Sequence, residues 1–311
     1  MPRQLRLQYE GAIYHLLSRG DRREDIYRDP ADRRQFLATL ADACAKTEWQ
    51  VHAYCLMRNH FHLVIETPRA NLVSGMKWLL GTYTMRFNRR HALSGHLFAG
   101  RYKSLLIDEE TPDYLRTVCD YVHLNPARAG LVGAGESLAS YPWSSYPAYL
   151  QPARRPAWLR CDRLLGEHGL EGPSRRTLRE FARRVEARRD DGSLADEAGI
   201  RSGWRFGAED FPARLLDRVE VKTGEQHRAA ERSETEEEKA QRIVHAALAR
   251  RGWGDAELGE RRKSDPGKVA IARKLRAETA VSLKWIAGRL QMGSWTHVSN
   301  LLRAKSVKSE D

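Results

Sequence analysis

The sequence has few cysteines and no long apolar run, and both absences exclude classes of protein. Only four cysteines occur in 311 residues, and none forms a close pair of the type that holds zinc, so the chain fits a reducing cytosol. No run of about 20 apolar residues predicts a membrane span. The first eight residues are basic but lack the apolar core of a signal peptide. We therefore expect a cytoplasmic protein without a membrane partner.

The composition shows an excess of positive charge, which is unevenly distributed. The formal net charge is +12 at pH 7, which favours a polyanionic partner such as nucleic acid. Residues 1–150 carry 19 Lys and Arg against 15 Asp and Glu, whereas residues 239–311 carry 16 against 7. The strongest electrostatic attraction for DNA is therefore expected near the C-terminus.

Two histidines separated by one residue are the first candidate for chemistry. His60 and His62 lie in a stretch that reads as a strand, so both side chains point to one face while Phe61 points to the other. Two imidazoles on one face can share a divalent cation. A His-x-His tripeptide by itself more often reflects two hydrogen-bonded histidines on a half-exposed sheet, so further residues are needed to decide.

A predicted helix supplies those residues. The apolar spacing from Thr111 to Leu124 indicates a helix that Thr111 caps and that Pro126 ends, because proline disfavours helical geometry in the preceding residue. Tyr121 and Asn125 are four positions apart and share one face of this helix. A phenol and an amide oxygen on that face could meet a cation held by the two histidines.

Taken together, these segments resemble the single-tyrosine HUH transposases, and within them the REP-associated tyrosine transposases of bacteria. The resemblance covers about the first half of the chain and rests on four spaced motifs in order. These are YHLLSRG at 14–20, MRNHFHLV at 57–64, GHLFAGRYKS at 95–104 and YVHLNPARAGLV at 121–132.

The resemblance implies both a fold and a set of roles. The fold is α+β, an α/β sandwich built on a central antiparallel sheet. Tyr121 is the nucleophile, and His60, His62 and Asn125 hold Mg²⁺ or Mn²⁺. The implied activity is cleavage and rejoining of single-stranded DNA at hairpin-flanked, REP-like sites through a 5′-phosphotyrosine. The resemblance leaves open whether the protein is a monomer or a homodimer.

Basic residues near the implied site are candidates for DNA contacts. A turn dense in guanidinium groups follows the first predicted strand, and guanidinium groups can bind phosphates or the edge of a guanine. A later strand carries two more cations on one face. The candidates are Arg19, Arg22, Arg23, Arg101 and Lys103.

Beyond residue 150 the composition changes, which predicts three parts: a transposase domain at 1–150, a linker and helical connector at 151–234, and a DNA-binding domain at 235–311. In the last part, Ser282 caps a short helix, Gly293 and Ser294 form a turn, and a second helix begins at Trp295. This helix-turn-helix pattern resembles the DNA-binding domain of the bacterial replication initiator. A basic helical bundle without DNA contacts remains the alternative.

If the helix-turn-helix interpretation holds, the second helix meets duplex DNA, and the protein associates with the nucleoid. The candidate contact residues in this part are Lys284, Arg289, Ser294, Thr296, His297 and Asn300. We further expect DNA cleavage and duplex binding to be separable, so that a fragment that ends near Gln151 still cleaves single-stranded DNA.

Two other functions are compatible with the same residues. One is a replication or conjugation initiator nickase, although such proteins often carry a helicase, and the phosphate loop GxxxxGK[ST] does not occur here. The other is a DNA-binding regulator derived from a transposase that no longer cuts. The presence of His60, His62, Tyr121 and Asn125 favours an active enzyme over the regulator.

Overall fold

The structure, a computed structural model, describes residues 6–172, 174–189, 199–200, 203–216 and 236–303. The N-terminal part contains the sheet and the helices that cover it. Its main elements are β1 (Ala12–Arg19), α1 (Pro30–Thr47), β2 (Gln50–Leu56), β3 (His60–Thr67), α2 (Leu72–His91), β4 (Lys103–Ile107) and α3 (Tyr114–Arg128). They are followed by α4 (Tyr146–Leu150), α5 (Asp162–Glu167), α6 (Arg175–Ala187) and β5 (Arg205–Phe206).

The sheet has the order β2-β3-β1-β4-β5. Pairing is antiparallel through β2, β3, β1 and β4, and only the two-residue β5 runs parallel to its neighbour β4. The register pairs Leu17 of β1 with His62 of β3 and with Lys103 of β4. The central strand β1 therefore brings the histidine strand and the basic strand together.

Helices cover both faces of the sheet. On one face, Phe61 of β3 packs its ring 5.0 Å from the ring of Phe36 in α1, and α2 adds Tyr83 to the same cluster. On the other face, α3 packs against β2 and β3. Because alternate residues of a strand face opposite ways, Phe61 enters the core and the flanking histidines face α3. The predicted α+β class with a largely antiparallel central sheet is confirmed.

Three predicted boundaries are wrong. The helix α3 begins at Tyr114, because the backbone N–H and hydroxyl of Thr111 are bonded to the carboxylate of Asp108 and do not cap the helix. It also continues through Pro126 to Arg128. A proline in the last turn removes only one hydrogen bond and restricts its neighbour without forbidding the helix. The strand predicted to carry both Arg101 and Lys103 is confined to Lys103–Ile107, so Arg101 lies before it.

The hydrophobic core of the N-terminal part does not end at residue 150. Side chains from the segment predicted as a linker and connector are buried in the same core as the sheet. They are Leu159, Cys161, Leu164, Leu165, Phe181, Val185, Ile200, Phe211 and Leu215. The amides of Leu106 and Asp108 donate to the carbonyls of Trp204 and Phe206, which attaches β5 to β4.

A second, smaller core unites the C-terminal helices. These are α7 (Glu236–Ala249), α8 (Glu257–Glu260), α9 (Pro266–Glu278), α10 (Leu283–Arg289) and α11 (Trp295–Arg303). Ser282 accepts from the amide of Trp285, as predicted, and Asp265 accepts from the amides of Gly267 and Lys268. The short helix α10 and the helix that begins at Trp295 are therefore where the sequence predicts them, while their use as a DNA-binding helix-turn-helix stays a prediction.

Candidate active site

The histidine pair lies on β3, at the side of the sheet that α3 covers. The rings of His60 and His62 have centroids 5.1 Å apart. His62 is 3% exposed, while His60 is partly exposed. The backbone amide of Gly20 donates to the carbonyl of Asn59, so the turn after β1 is fixed beside the start of β3. The predicted pair therefore faces one space, as i and i+2 positions of a strand should.

A third histidine, which the sequence analysis did not assign to the site, joins this pair. His15 of β1 places its Nε2 2.9 Å from Nδ1 of His62. The two rings are stacked, with centroids 5.1 Å apart and an angle of 14° between their planes. His15 occurs in the first family-like motif, and a polar residue in an otherwise apolar strand was the signal. Only the pairing of β1 with β3 shows its relation to His62.

Tyr121 reaches the histidines from α3. Its ring lies 5.8 Å from that of His62 and 5.9 Å from that of His15, edge-on to both. The guanidinium carbon of Arg128 lies 5.0 Å from the centre of the tyrosine ring, a cation–π arrangement. The Nδ2 of Asn125 donates to the backbone carbonyl of Tyr121 at 3.1 Å. The helix therefore delivers a phenol and an amide to the histidine face, and Arg128 is a neighbour that spacing did not indicate.

These side chains line one cavity of about 510 Å³. Its walls come from β1, β3, β4 and α3, and from the later segment that ends in β5. The predicted site residues that line it are His60, His62, Tyr121, Asn125, Arg19, Arg101 and Lys103. His15, Ser18, Ile200 and Gly203 also line it. The wall that Ile200 and Gly203 form lies 75 residues or more beyond Asn125, and nothing in the local sequence indicated it.

The donor atoms around the cavity fit a divalent cation. Nδ1 of His60 is 2.8 Å from Oδ1 of Asn59, and Nδ1 of His62 bonds to His15, so each ring keeps Nε2 for another partner. Asn125 uses its amide nitrogen within the helix and keeps its oxygen. In the described part of the chain, no group of three or more His, Cys, Asp or Glu is placed to hold a metal. A site here would therefore need the amide oxygen as its third protein ligand.

Burial keeps the imidazoles neutral. It lowers the pKa of His15 to about 4, and burial with the charge of Arg19 lowers the pKa of His60 to about 4. Burial and the neighbouring His15, His60 and Arg19 lower the pKa of His62 well below its ordinary value. A neutral imidazole is the form that binds metal, so the histidines are in that form at pH 7.

The cations around the cavity differ in their environment. Arg19 lines the cavity, and its Nε is buried without a hydrogen-bond partner among the described residues. Arg22 and Arg23 are exposed in the adjacent turn, where both have positive φ angles of 50° and 63°. The carbonyl of Arg23 accepts from Nδ2 of Asn59, next to His60. Lys103 is exposed on β4. The predicted basic turn therefore borders the histidine face.

The candidate residues of the C-terminal helices form a separate surface. Lys284, Ser294, Thr296 and Asn300 are exposed, and Trp295 beside them is 55% exposed. His297 is partly exposed, and Nε2 of its ring is buried without a partner in the described chain. Arg289 is paired with Asp255 at 2.7 Å and donates to Oε1 of Gln241 at 2.6 Å. None of these residues lines the cavity that holds Tyr121.

Comparison with known proteins finds a family match in the N-terminal part. Residues 8–125 match the model of a family described as transposase IS200-like. The matched segment spans β1 to Asn125 and contains His15, the histidine pair and Tyr121, so the predicted resemblance is confirmed for this transposase-like part. The family is one of transposases, which are enzymes acting on DNA.

The chain is also similar to a solved structure described as a REP-associated tyrosine transposase bound to a REP hairpin. The sequences are 15% identical, the TM-score is 0.41, and the match covers 52% of this chain and 93% of the other. No curated protein is significantly similar to the chain. None of the helices in the described ranges is long and apolar enough to cross a membrane.

Proposed function

We propose that this protein is a metal-dependent transposase that cleaves and rejoins single-stranded DNA through Tyr121. The observation that carries the proposal is the contact of the Tyr121 ring with the rings of His62 and His15, 5.8 and 5.9 Å away, in a cavity that His60 and Asn125 also line. The match of residues 8–125 to the IS200-like transposase family supports the same function.

The proposed reaction is a transesterification at phosphorus. The Tyr121 hydroxyl attacks the scissile phosphate and loses its proton. The bond between phosphorus and the 3′-oxygen breaks, and that oxygen gains a proton to become a free 3′-hydroxyl. The product is a 5′-phosphotyrosine, and a second DNA 3′-hydroxyl can attack it in the reverse sense. One phosphodiester is exchanged for another, so strands can be rejoined without ATP.

We propose that His60, His62 and the Asn125 oxygen hold Mg²⁺ or Mn²⁺. Bound there, the ion would polarise the scissile phosphate and favour departure of the 3′-oxygen. The protein's own residues have two further tasks. The α3 helix holds the Tyr121 phenol against the imidazoles, and the Arg19 guanidinium is placed to bind a phosphate oxygen with charge-assisted hydrogen bonds.

The proposed substrate is single-stranded DNA flanked by a hairpin. An unpaired strand can bend its phosphate into a buried cavity, whereas a duplex is too stiff to do so. The hairpin stem would then lie against the exposed turn that carries Arg22 and Arg23, because guanidinium groups bind phosphates and guanine edges. The exposed face of α11 would bind duplex DNA, in keeping with the predicted helix-turn-helix, and such binding would associate the protein with the nucleoid.

The proposed function is tested by trapping the covalent intermediate. Full-length protein is incubated with 5′- and 3′-labelled single-stranded hairpin DNA and Mg²⁺, and adducts are resolved on a denaturing gel. We expect Tyr121→Phe to abolish the adduct and to leave DNA affinity unchanged, because only a hydroxyl is lost. Tyr114→Phe, on the same helix but outside the cavity lining, is the matched control and should form the adduct normally.

The labels also test the direction of cleavage. In the proposed reaction, the adduct retains only the DNA on the 3′ side of the cut, and the other product ends in a 3′-hydroxyl. An adduct that persists in Tyr121→Phe would move the nucleophile to another of the 11 tyrosines. Specific DNA binding with no adduct under any condition would instead favour a regulator that does not cut.

A further inference from the structure

His15 is the one buried ionisable side chain of the cavity to which the proposed function gives no task. It is 5% exposed, lies in the middle of the central strand β1, and has its Nε2 2.9 Å from Nδ1 of His62. Such a distance is that of a direct hydrogen bond between the two rings. One ring must then donate and the other must accept, so the bond fixes the positions of the ring protons.

The direction of this bond follows from the task of His62. If His62 binds a cation through Nε2, the neutral ring carries its proton on Nδ1. That N–H then donates to Nε2 of His15, which has to be the acceptor. A ligand histidine whose other nitrogen is held in this way has a fixed tautomer and a fixed ring orientation. His15 therefore occupies the place at which metal-binding histidines ordinarily have a carboxylate or carbonyl.

The packing of the rings supports the same assignment. His15 and His62 are stacked with an angle of 14° between their planes, which restricts rotation of the His62 ring. Tyr121 contacts both rings edge-on. The same bond also makes His15 unsuitable as a further ligand through Nε2, because that lone pair is used to accept from His62.

We propose that His15 is a positioning residue that accepts a hydrogen bond from Nδ1 of His62 and so holds Nε2 of His62 toward the cation in the cavity. This inference rests on the proposed metal site. It assigns to β1 a part in metal binding that the His-x-His pair of β3 does not supply by itself.

The test measures Mn²⁺ affinity of the full-length protein by calorimetry, without DNA. His15→Leu introduces an apolar side chain of similar size that has no hydrogen-bond acceptor. We expect it to weaken Mn²⁺ binding by about 10- to 100-fold. His15→Gln can place its Oε1 near the position of the lost Nε2, and we expect it to stay within a few fold of wild type. His52→Gln, which alters a buried histidine of β2 outside the cavity lining, is the control and should bind Mn²⁺ normally.

Each result has a distinct meaning. Loss in His15→Leu with rescue in His15→Gln, at similar melting temperatures, supports the positioning role. Affinity unchanged in His15→Leu, while His62→Ala loses binding, overturns the role of His15 and leaves the metal site intact. No Mn²⁺ binding by the wild type overturns both proposals. Pulsed EPR of bound Mn²⁺ adds a check: fewer bound nitrogens in His15→Gln than in wild type would make His15 a direct ligand and overturn the positioning role.

Discussion

The N-terminal part and the C-terminal helices, each built around its own hydrophobic core, differ in how their charged residues are used. Residues 239–311 have 16 Lys and Arg against 7 Asp and Glu, yet several of their cations are used inside the structure. Arg289 is paired with Asp255 and Gln241, and Lys268 is fully buried with Nζ donating to backbone carbonyls of Leu258 and Arg261. Net charge therefore overstates the number of cations that this part offers to DNA.

The N-terminal part has a smaller excess, with 19 cations against 15 anions in residues 1–150. Arg19, Arg101 and Lys103 nevertheless line the cavity, and the Nε of Arg19 is buried there without a hydrogen-bond partner in the described chain. Burial in a low-dielectric cavity strengthens any interaction with a phosphate. On the proposed function, the first part would use a few desolvated groups for chemistry, whereas the second would use exposed groups for salt-sensitive attraction to DNA.

The sharpest way to test this division is to cut the chain between the two parts. A fragment that ends near Gln151 loses nine buried side chains of the first core, including Phe181 and Phe211. Large apolar side chains contribute about 1.5–3 kcal/mol each when buried, and their loss also exposes the apolar partners that they cover in the first core, a large change against a net stability of about 5–15 kcal/mol. We expect this fragment to be unfolded and a fragment of residues 1–216 to be folded, as judged by near-UV circular dichroism.

This expectation replaces the one drawn from the sequence, in which a fragment ending near Gln151 still cleaves. The longer fragment should cleave single strands with little discrimination among duplex sites. A shorter fragment that folds and cleaves would show that residues 152–216 are dispensable, and the boundary predicted at residue 150 would then stand.

The next largest effect is expected at the metal ligands. Replacing His60 or His62 by Ala removes a proposed metal ligand, and we expect cleavage to fall by more than about 100-fold, since loss of a residue that only supports a ligand already costs about 10- to 100-fold. Asn125→Ala should be milder, because an amide oxygen is a weaker ligand. EDTA should abolish cleavage and added Mg²⁺ should restore it. The exposed His96 offers the control His96→Ala, and cleavage that survives chelation would contradict the metal assignment.

A third prediction concerns the attachment of α6 to the tyrosine helix. Asp120 is buried next to Tyr121 and pairs with His168 at 3.2 Å and Arg188 at 2.7 Å. Removing one partner of a buried ion pair leaves the other charge uncompensated, so we expect Asp120→Asn to lower the free energy of unfolding by about 3–5 kcal/mol. Asp113→Asn, directly before the same helix, changes an exposed pair with Arg116 and should cost less than about 1 kcal/mol.

The pH dependence of this pair has a definite sign. Burial raises the pKa of Asp120, but the hydrogen bonds and charges of His168 and Arg188 outweigh it, and the pKa is lowered. The pair therefore stabilises the fold above the pKa of an unfolded aspartate, and that contribution is lost as the pH falls through the lowered value. Urea unfolding at pH 7 and below pH 4 should show a smaller difference in Asp120→Asn than in wild type, and equal differences would contradict the assignment.

The site residues that could be predicted from the sequence are mostly those related by the local periodicity of a strand or a helix. The i, i+2 spacing of His60 and His62 and the i, i+4 spacing of Tyr121 and Asn125 are fixed by backbone geometry. These residues line one cavity. The bond from His62 to His15 depends on strand pairing between residues 47 positions apart, which no local pattern encodes. The paired state of Arg289 likewise depends on the tertiary position of Asp255.

The smallest expected effect is that of replacing a single cation in the C-terminal helices. Comparing an exposed with a paired cation tests whether exposure or net charge governs DNA binding there. Each phosphate contact contributes about 0.9 log units of affinity per log unit of salt. Lys284 is exposed, whereas Arg289 is paired with Asp255 and Gln241. The two residues carry the same formal charge, but of the two only Lys284 is exposed and without an ion-pair partner among the described residues. Lys284→Ala should therefore reduce the salt slope by about one contact, and Arg289→Ala should mainly reduce stability.

Both variants are best made in full-length protein that carries Tyr121→Phe, so that duplex binding is measured without cutting. Binding of duplex DNA is followed by fluorescence anisotropy between 50 and 200 mM salt, a range over which counterion release dominates the affinity. Lys274→Ala is a suitable control, because Lys274 lies on α9 at 3.8 Å from Glu278 and outside the predicted recognition surface. Equal slopes for Lys284→Ala and Arg289→Ala would mean that pairing does not withhold Arg289 from DNA. If duplex DNA does not bind even at 50 mM salt, the helix-turn-helix interpretation is wrong, and residues 236–303 become a candidate surface for protein contacts.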